Sequence, residues 1–326
     1  MKYFCKTDDF LSTQPFPVNM DINETANAIR DMSIRGAGRI ARAGASALSD
    51  FAENYTGNDS KAFLKDIGKA SKIILDSRPT AVSLWNGIQA TLKDVGKAKT
   101  VKGAVSTVKD NSSRFIKNSE KAVEMIAKIG AKRIRDGDIV VTHCNSSAAL
   151  GAIKEAHRQG KKIKVFATES RPWRQGILTV NELAKEGIDV TLMIDSAVRT
   201  VMKRANIVLV GADTITAHGA LVNKIGTSQV ALAANEARVP FIVCSETYKF
   251  SPMTLFGDTV TIEERDTLEV VKPGEIPDSV KIFNPVFDST PAKYIDAIVT
   301  ELGMIHPAEV YGIMIRQFGE RIFDME

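Results

Sequence analysis

Cys144 lies just past the β-branched run Asp138–Thr142 and just ahead of SSAALGAIKEAHRQG, a segment with helical spacing that Ser146 or Ser147 can cap and Gly160 can close. A thiol at a helix start meets the positive end of the helix dipole and free backbone N–H groups, so a lowered pKa and a usable thiolate are expected. Asp213 ends a second apolar run, NIVLVGAD. If the two runs are neighbouring strands, its carboxylate enters the same crevice, and a thiol beside a carboxylate can move protons on and off a substrate. Each residue also has an ordinary alternative: an inert half-buried cysteine, and an aspartate that caps a turn. Cys244, inside a strand-like run, and Cys5, near the start of the chain, read as inert.

Anion-binding groups recur on loops that follow the other strand-like runs. Ser146 and the N–H groups after Cys144 suit a phosphate at a helix start. Arg171, Arg174 and Gln175 stand in ESRPWRQG, Lys224 in NKIGTS, and Lys249 in ETYK. Arginine matches phosphate with two parallel hydrogen bonds, and lysine supplies a point charge. Each is also an ordinary solvated charge taken singly, but a ligand with two phosphates carries about four negative charges and needs several such groups. Residues 36–41, GAGRIA, imitate a dinucleotide fingerprint, yet the stretch before them has helical rather than strand spacing, so that reading fails. The same turn, with Arg35 and Arg39, suits close backbone approach to a phosphate. Arg78, directly before Pro79, is a further basic group at a break between helices. The four histidines, His143, His157, His218 and His306, lack ligand spacing, so no metal is expected, and no G-x-S-x-G elbow supports hydrolysis. His143 precedes Cys144 on a strand and points to the opposite face, which suits packing or support.

These groups need a scaffold that presents them together. From Asp21 to about Arg135 the spacing is helical, with Asp21 and Asn118 as caps and Pro79 as a breaker. After Asp136-Gly137 strand-like runs alternate with amphipathic stretches: Asp138–Thr142, Lys162–Ala167, Asp189–Ile194, Ile207–Val210, Phe241–Cys244 and, more weakly, Val280–Phe283. The fold class is therefore α/β, with an N-terminal helical domain followed by a Rossmann-like, doubly wound, mostly parallel sheet. The division is a 1–19 extension, with Met20 as an alternative start, a helical domain over 20–135, and an α/β domain over 136–326 carrying most of the site. Ligands of such sheets bind beyond the carboxyl ends of the strands, where the strand order reverses, and that is where the polar groups gather.

The 326 residues contain 43 Lys and Arg against 39 Asp and Glu, with the excess scattered, which argues against a nucleic-acid surface. No apolar run is long enough for a membrane span, the first residues do not read as a secretory signal, and three cysteines make no disulfide framework. A reducing cytoplasm fits, with no cofactor expected.

RGAGRIARAGASAL, VVTHCNSSAALGAIKEA, ATESRPWRQG, VGADTITAHGALVNKIGTSQVALAA, SETYKF and NPVFDSTPAKYI together resemble the superfamily of the alpha, beta and delta subunits of initiation factor 2B and the sugar-phosphate isomerases. The resemblance covers residues 21–326. Within it, THCNSS with GAD is similar to the archaeal ribose-1,5-bisphosphate isomerases, whereas methylthioribose-1-phosphate isomerases are expected to carry a THCNTG-like loop and regulatory subunits usually lack the cysteine. The resemblance implies conversion of ribose 1,5-bisphosphate to ribulose 1,5-bisphosphate in AMP degradation, with dimers assembled into a hexamer and AMP as a candidate activator. It also implies Cys144 and Asp213 as catalytic residues. Gly36, Ala37, Arg39 and Arg78 would surround one phosphate, and Ser146, Arg171, Gln175, Asn223, Lys224 and Lys249 the sugar and the other phosphate. A thiolate at Cys144 would take the C2 proton and a protonated Asp213 would open the ring, or the two roles are exchanged. The alternatives are a methylthioribose-1-phosphate isomerase and a non-catalytic regulatory subunit.

Overall fold

Five α-helices form before any strand: α1 (Ile22–Arg30), α2 (Ala37–Glu53), α3 (Ser60–Ser77), α4 (Val82–Leu92) and α5 (Val101–Ala131). The computed structural model describes residues 20–257 and 259–318, so the expected 1–19 extension and Cys5 lie outside the described residues. Asp21 starts α1 with a capping box: its carboxylate accepts from the Glu24 N–H at 2.8 Å, and Glu24 accepts from the Asp21 N–H at 3.0 Å. Pro79 separates α3 from α4, as a residue without an N–H should. Asn118 is not a cap. It sits exposed inside α5, because the buried face Ala104, Val108, Ser112, Ser119, Ala122 and Ile126 continues through it at helical spacing.

Six parallel strands then build the main sheet: β1 (Ile139–Thr142), β2 (Lys164–Thr168), β3 (Asp189–Met193), β4 (Ile207–Val210), β7 (Phe241–Cys244) and β10 (Ala297–Thr300). Between them the chain forms α6 (Ser147–Arg158), α7 (Gly176–Lys185), α8 (Val198–Met202), α9 (Thr227–Ala237) and the short strands β5 (Thr214–Thr216), β6 (Leu221–Lys224), β8 (Phe250–Ser251) and β9 (Phe287–Thr290). The antiparallel edge strand β11 (Gly303–Ile305) and helix α10 (Val310–Phe318) follow. The order is β11-β10-β7-β4-β1-β2-β3, and the short strands make a separate sheet, β8-β5-β6-β9. Val280–Phe283, expected as a weak strand, is irregular. Its Val280 and Phe283 are 49% and 74% exposed, whereas Ala297–Thr300, which pairs with β7 instead, is buried throughout.

The helical half has its own core, in which Ile29, Ile40, Leu48, Phe63, Ile74, Leu84 and Ile88 are fully covered. The end of α5 belongs to another core: Ile126, Ala131 and Ile134 pack with Val140, Ile153 and Leu209 beneath the main sheet. This crossing is close, since a Cβ on Gly130 would lie 2.7 Å from the Ala152 Cβ of α6. Polar bolts reinforce it. Asn86 of α4 donates to the carbonyls of Tyr248 and Phe250 at 2.7 and 2.9 Å, and Ser119 of α5 donates to the Tyr248 hydroxyl at 3.1 Å.

Two helical glycines should respond oppositely to alanine. Gly68, exposed on α3 with open space around an added methyl, gains up to about 1 kcal/mol from the better helix former. Gly130→Ala instead forces α5 from α6 and costs about 1–3 kcal/mol. Urea unfolding of the two variants measures both, and a Gly130→Ala protein as stable as the parent contradicts the close crossing.

Candidate active site

The strand order reverses between β1 and β4, which pair in parallel through Val140–Ile207 and Val141–Val208. Two chains leaving adjacent strands in the same direction leave a crevice between them. Cys144 exits from one and Gly211-Ala212-Asp213 from the other. The approach is tight: a side chain on Gly211 would collide with the Cβ and Oγ of Ser146. Of the two expected caps, Ser146 is the N-cap of α6, accepting from the Ala149 N–H at 3.4 Å. The neighbouring Cys144 has a left-handed backbone with φ 66°, a conformation that costs a non-glycine residue on the order of 1 kcal/mol.

The thiol does not follow the expectation of a lowered pKa. Burial pushes it above its ordinary value, opposed by Lys224, by the Asn145 N–H and by Arg35, while the negative charge of Asp213 pushes the same way as burial. Desolvation outweighs the helix start because the sulfur is partly enclosed and a carboxylate stands beside it. The unliganded thiol therefore keeps its proton to higher pH than an ordinary cysteine. Cys244 is buried and pushed up to about 12, the inert thiol its position suggested. His143 is also buried and held below its usual value by desolvation; its ring contacts Thr168 Oγ1 and the Ile225 carbonyl at 2.5 and 2.8 Å.

Cations reach this pair from both halves of the chain. Lys224, on β6, feels Cys144 and lies 5.2 Å from the centre of the Phe287 ring. Arg35, just before α2, is lowered by burial and then by Arg39, and is raised by Cys144, so the turn 35–39 faces the thiol across the two halves. Gly36 makes that turn with φ 83° and caps α2 without a side-chain hydrogen bond; Ala37 follows it and Arg39 is exposed. Gln175, at the start of α7, has a buried amide oxygen with no hydrogen-bond partner among the described residues, an arrangement that suits a ligand donor.

Other expected residues are already engaged. Lys249 is buried and paired with buried Glu246 at 2.7 Å. Burial alone would raise the Glu246 carboxyl, but Lys249 and the Tyr248 hydroxyl outweigh it and hold it below the usual range. Arg78 contacts Glu263 at 3.5 Å and the Met32 sulfur at 3.4 Å, lining a cleft of about 250 Å³ with Arg265 and Glu269. Arg171 is exposed and donates to the Val270 carbonyl at 3.3 Å. Asn223 is buried and donates to Thr227 Oγ1 at 3.0 Å.

Several residues around Cys144 carried no clear signal in the sequence. Ser170 and Thr179 bond its backbone, and Asp195 accepts from the Ser170 and Arg171 N–H groups at 2.8 Å each. Thr179 lies in a segment that reads only as helix. Asp195 follows β3, and its partners are two backbone groups 25 and 24 residues away, which no spacing rule exposes.

The parallel sheet therefore presents a thiol and a carboxylate at its switch point, with a basic turn from the helical half close enough to act on the thiol. The chain belongs to the initiation factor 2 subunit family, whose model matches residues 33–307. It is 50% identical over 298 residues to a ribose 1,5-bisphosphate isomerase of Methanocaldococcus jannaschii, covering 91% of this chain and 96% of that one. A protein of the same name from Archaeoglobus fulgidus is 51% identical over 299 residues, covering 92% and 94%. Among solved structures, the Pyrococcus horikoshii translation initiation factor eIF-2B matches with a TM-score of 0.74 at 34% identity, over 88% of this chain and 97% of that one.

The raised thiol gives a pH prediction with a definite sign. A group held above its ordinary value of 9.0 keeps its proton to higher pH, so site-resolved iodoacetamide labelling of Cys144 in the unliganded protein reaches half its maximal rate above that value. Lys224→Met, which removes the largest of the opposing effects, moves the midpoint further up. A midpoint below 9.0 contradicts the raised thiol.

Proposed function

We propose that the chain isomerises ribose 1,5-bisphosphate to ribulose 1,5-bisphosphate, with Cys144 and Asp213 sharing one catalytic proton. The observation that carries this reading is the switch point itself: a thiol and a carboxylate leave adjacent strands there, and the charges of Asp213, Lys224 and Arg35 all act on the thiol. The near full-length likeness to two proteins named for this reaction supports the choice of substrate.

The chemistry balances on that one proton. Moving it from sulfur to Asp213 creates a thiolate, which Lys224, Arg35 and the Asn145 N–H all favour. Asp213 then protonates the ring oxygen, and the C4–O bond stays intact while the bond from that oxygen to C1 opens. The thiolate takes the C2 proton and returns it to C1 of the enol; Asp213 takes the proton of the C2 hydroxyl as the ketone forms. Asp213 then hands its proton back to sulfur, so both groups finish as they started, with C1 still carrying its phosphate. The exchanged assignment, with the proton left on sulfur, uses the same proton count. An ultraviolet thiolate signal on binding an unreactive bisphosphate separates the two.

For substrate binding, the reading uses the turn Gly36, Ala37 and Arg39 for one phosphate, and Ser146, Arg171, Gln175, Asn223 and Lys224 for the sugar and the second. Arg78 and Lys249 join only if ligand displaces Glu263 and Glu246 from them. A place in AMP degradation, the hexamer and AMP activation belong to the same reading. Apolar side chains exposed toward both edges of the main sheet, Ile194 at 60% and Leu302 at 63%, suit subunit contacts.

Incubation of the protein with ribose 1,5-bisphosphate, methylthioribose 1-phosphate and AMP, followed by ketose detection, tests the reading. Ketose from the bisphosphate alone is expected. Turnover of methylthioribose 1-phosphate instead favours the other isomerase, and no turnover with tight binding of an initiation factor overturns an enzymatic role.

A further inference from the structure

The backbone of Cys144 is gripped at both ends by buried hydroxyl groups. Its N–H donates to Ser170 Oγ at 2.8 Å, and its carbonyl accepts from Thr179 Oγ1 at 2.7 Å. Ser170 and Thr179 are completely covered, so their hydroxyls act on what they touch rather than on solvent. Ser170 follows β2 and Thr179 lies near the start of α7, both on the opposite side of β1 from the Asp213 loop.

Each hydroxyl has its proton direction fixed by its neighbours. The Ile225 carbonyl can only accept, so neutral His143 donates to it through Nε2 and presents Nδ1 as an acceptor. Thr168 then donates to Nδ1 at 2.5 Å, and Ser170 donates onward to Thr168 across a longer 3.4 Å contact. The lone pairs of Ser170 Oγ are left for the Cys144 N–H. On the other side, Asn145 Nδ2 donates to Thr179 Oγ1 at 3.1 Å, which leaves the single Thr179 proton for the Cys144 carbonyl. Asp195 anchors the loop by accepting from the Ser170 and Arg171 N–H groups, both at 2.8 Å.

We infer that Ser170 and Thr179 are positioning residues that clamp Cys144 in its left-handed conformation, aiming Sγ at the crevice and keeping the Asn145 N–H on the sulfur. The role rests on the reading of Cys144 as the reacting group. A cysteine at φ 66° returns to the ordinary negative-φ region when nothing holds its peptide groups, and the sulfur swings with it. The Asn145 N–H, one of the groups that favour the thiolate, then loses its aim.

Thr179→Val keeps the shape and removes the hydroxyl, Thr179→Ser restores the hydroxyl without the methyl, and Ser170→Ala opens the other end of the clamp. Turnover and site-resolved Cys144 alkylation against pH are measured for all three, with thermal unfolding as a check on folding. Thr179→Val and Ser170→Ala are expected to lower kcat about 10- to 100-fold, the scale of a misplaced reacting group, with KM little changed. Both also shift the alkylation profile to higher pH, and Thr179→Ser recovers kcat and profile together. Unchanged kcat and profile in Thr179→Val and Ser170→Ala overturn the inference, as does a Thr179→Ser protein as impaired as Thr179→Val. Alkylation needs no substrate, so a Cys144→Ser protein with normal turnover sinks the catalytic reading while the profile still decides the clamp.

Discussion

Everything at the site depends on one strand pair. β1 and β4 run parallel and adjacent where the sheet reverses its order, so the residues that follow them emerge side by side. Glycine at 211 lets the second chain pass against Ser146, the cap of the helix that follows the first. The result is a partly enclosed thiol beside a carboxylate, and that neighbourhood, rather than the helix start, decides where the proton rests. An isolated helix N-terminus would stabilise a thiolate; desolvation and a second negative charge outweigh it here.

The helical half completes the electrostatics. Its helices share their own core, and its attachment through α5, Asn86 and the Ser119–Tyr248 bond fixes where α2 begins. Gly36 turns the chain at that point, and the charge of Arg35 acts on Cys144 from a segment more than a hundred residues earlier. Buried Glu246 and Lys249 sit next to the same joint: a Cβ on Gly38 of α2 would lie 2.8 Å from the Tyr248 hydroxyl, which donates to Glu246. Breaking one member of such a buried pair usually costs about 3–5 kcal/mol, because the other charge is left unpaired.

Much of this was legible before the structure. Helical spacing up to residue 135, the β-branched runs after Gly137 and the cap at Ser146 are local patterns, and local patterns survive folding. The departures have physical causes. Asn118 lost its capping role to a buried face that runs through α5, and Val280–Phe283 lacks a core to cover it, so β10 takes the place beside β7. The thiol's direction of shift was misread because a dipole argument sees the helix and not the enclosure. Lys249 and Arg78 read as free cations because their carboxylate partners, Glu246 and Glu263, are assigned only by the tertiary fold. Ser170, Thr179 and Asp195 act through bonds to backbone groups distant in sequence, which spacing does not reveal.

The central claim is that Cys144 and Asp213 work as one proton-carrying unit on a sugar bisphosphate. The most direct measurement is ketose formation from ribose 1,5-bisphosphate by Cys144→Ser, Asp213→Asn and the double variant, with substrate affinity determined separately by calorimetry. The account predicts that each single variant loses turnover by about 10³-fold or more, that the double variant is no worse than either, and that affinity is largely kept. Turnover near the parent's in either single variant would contradict it.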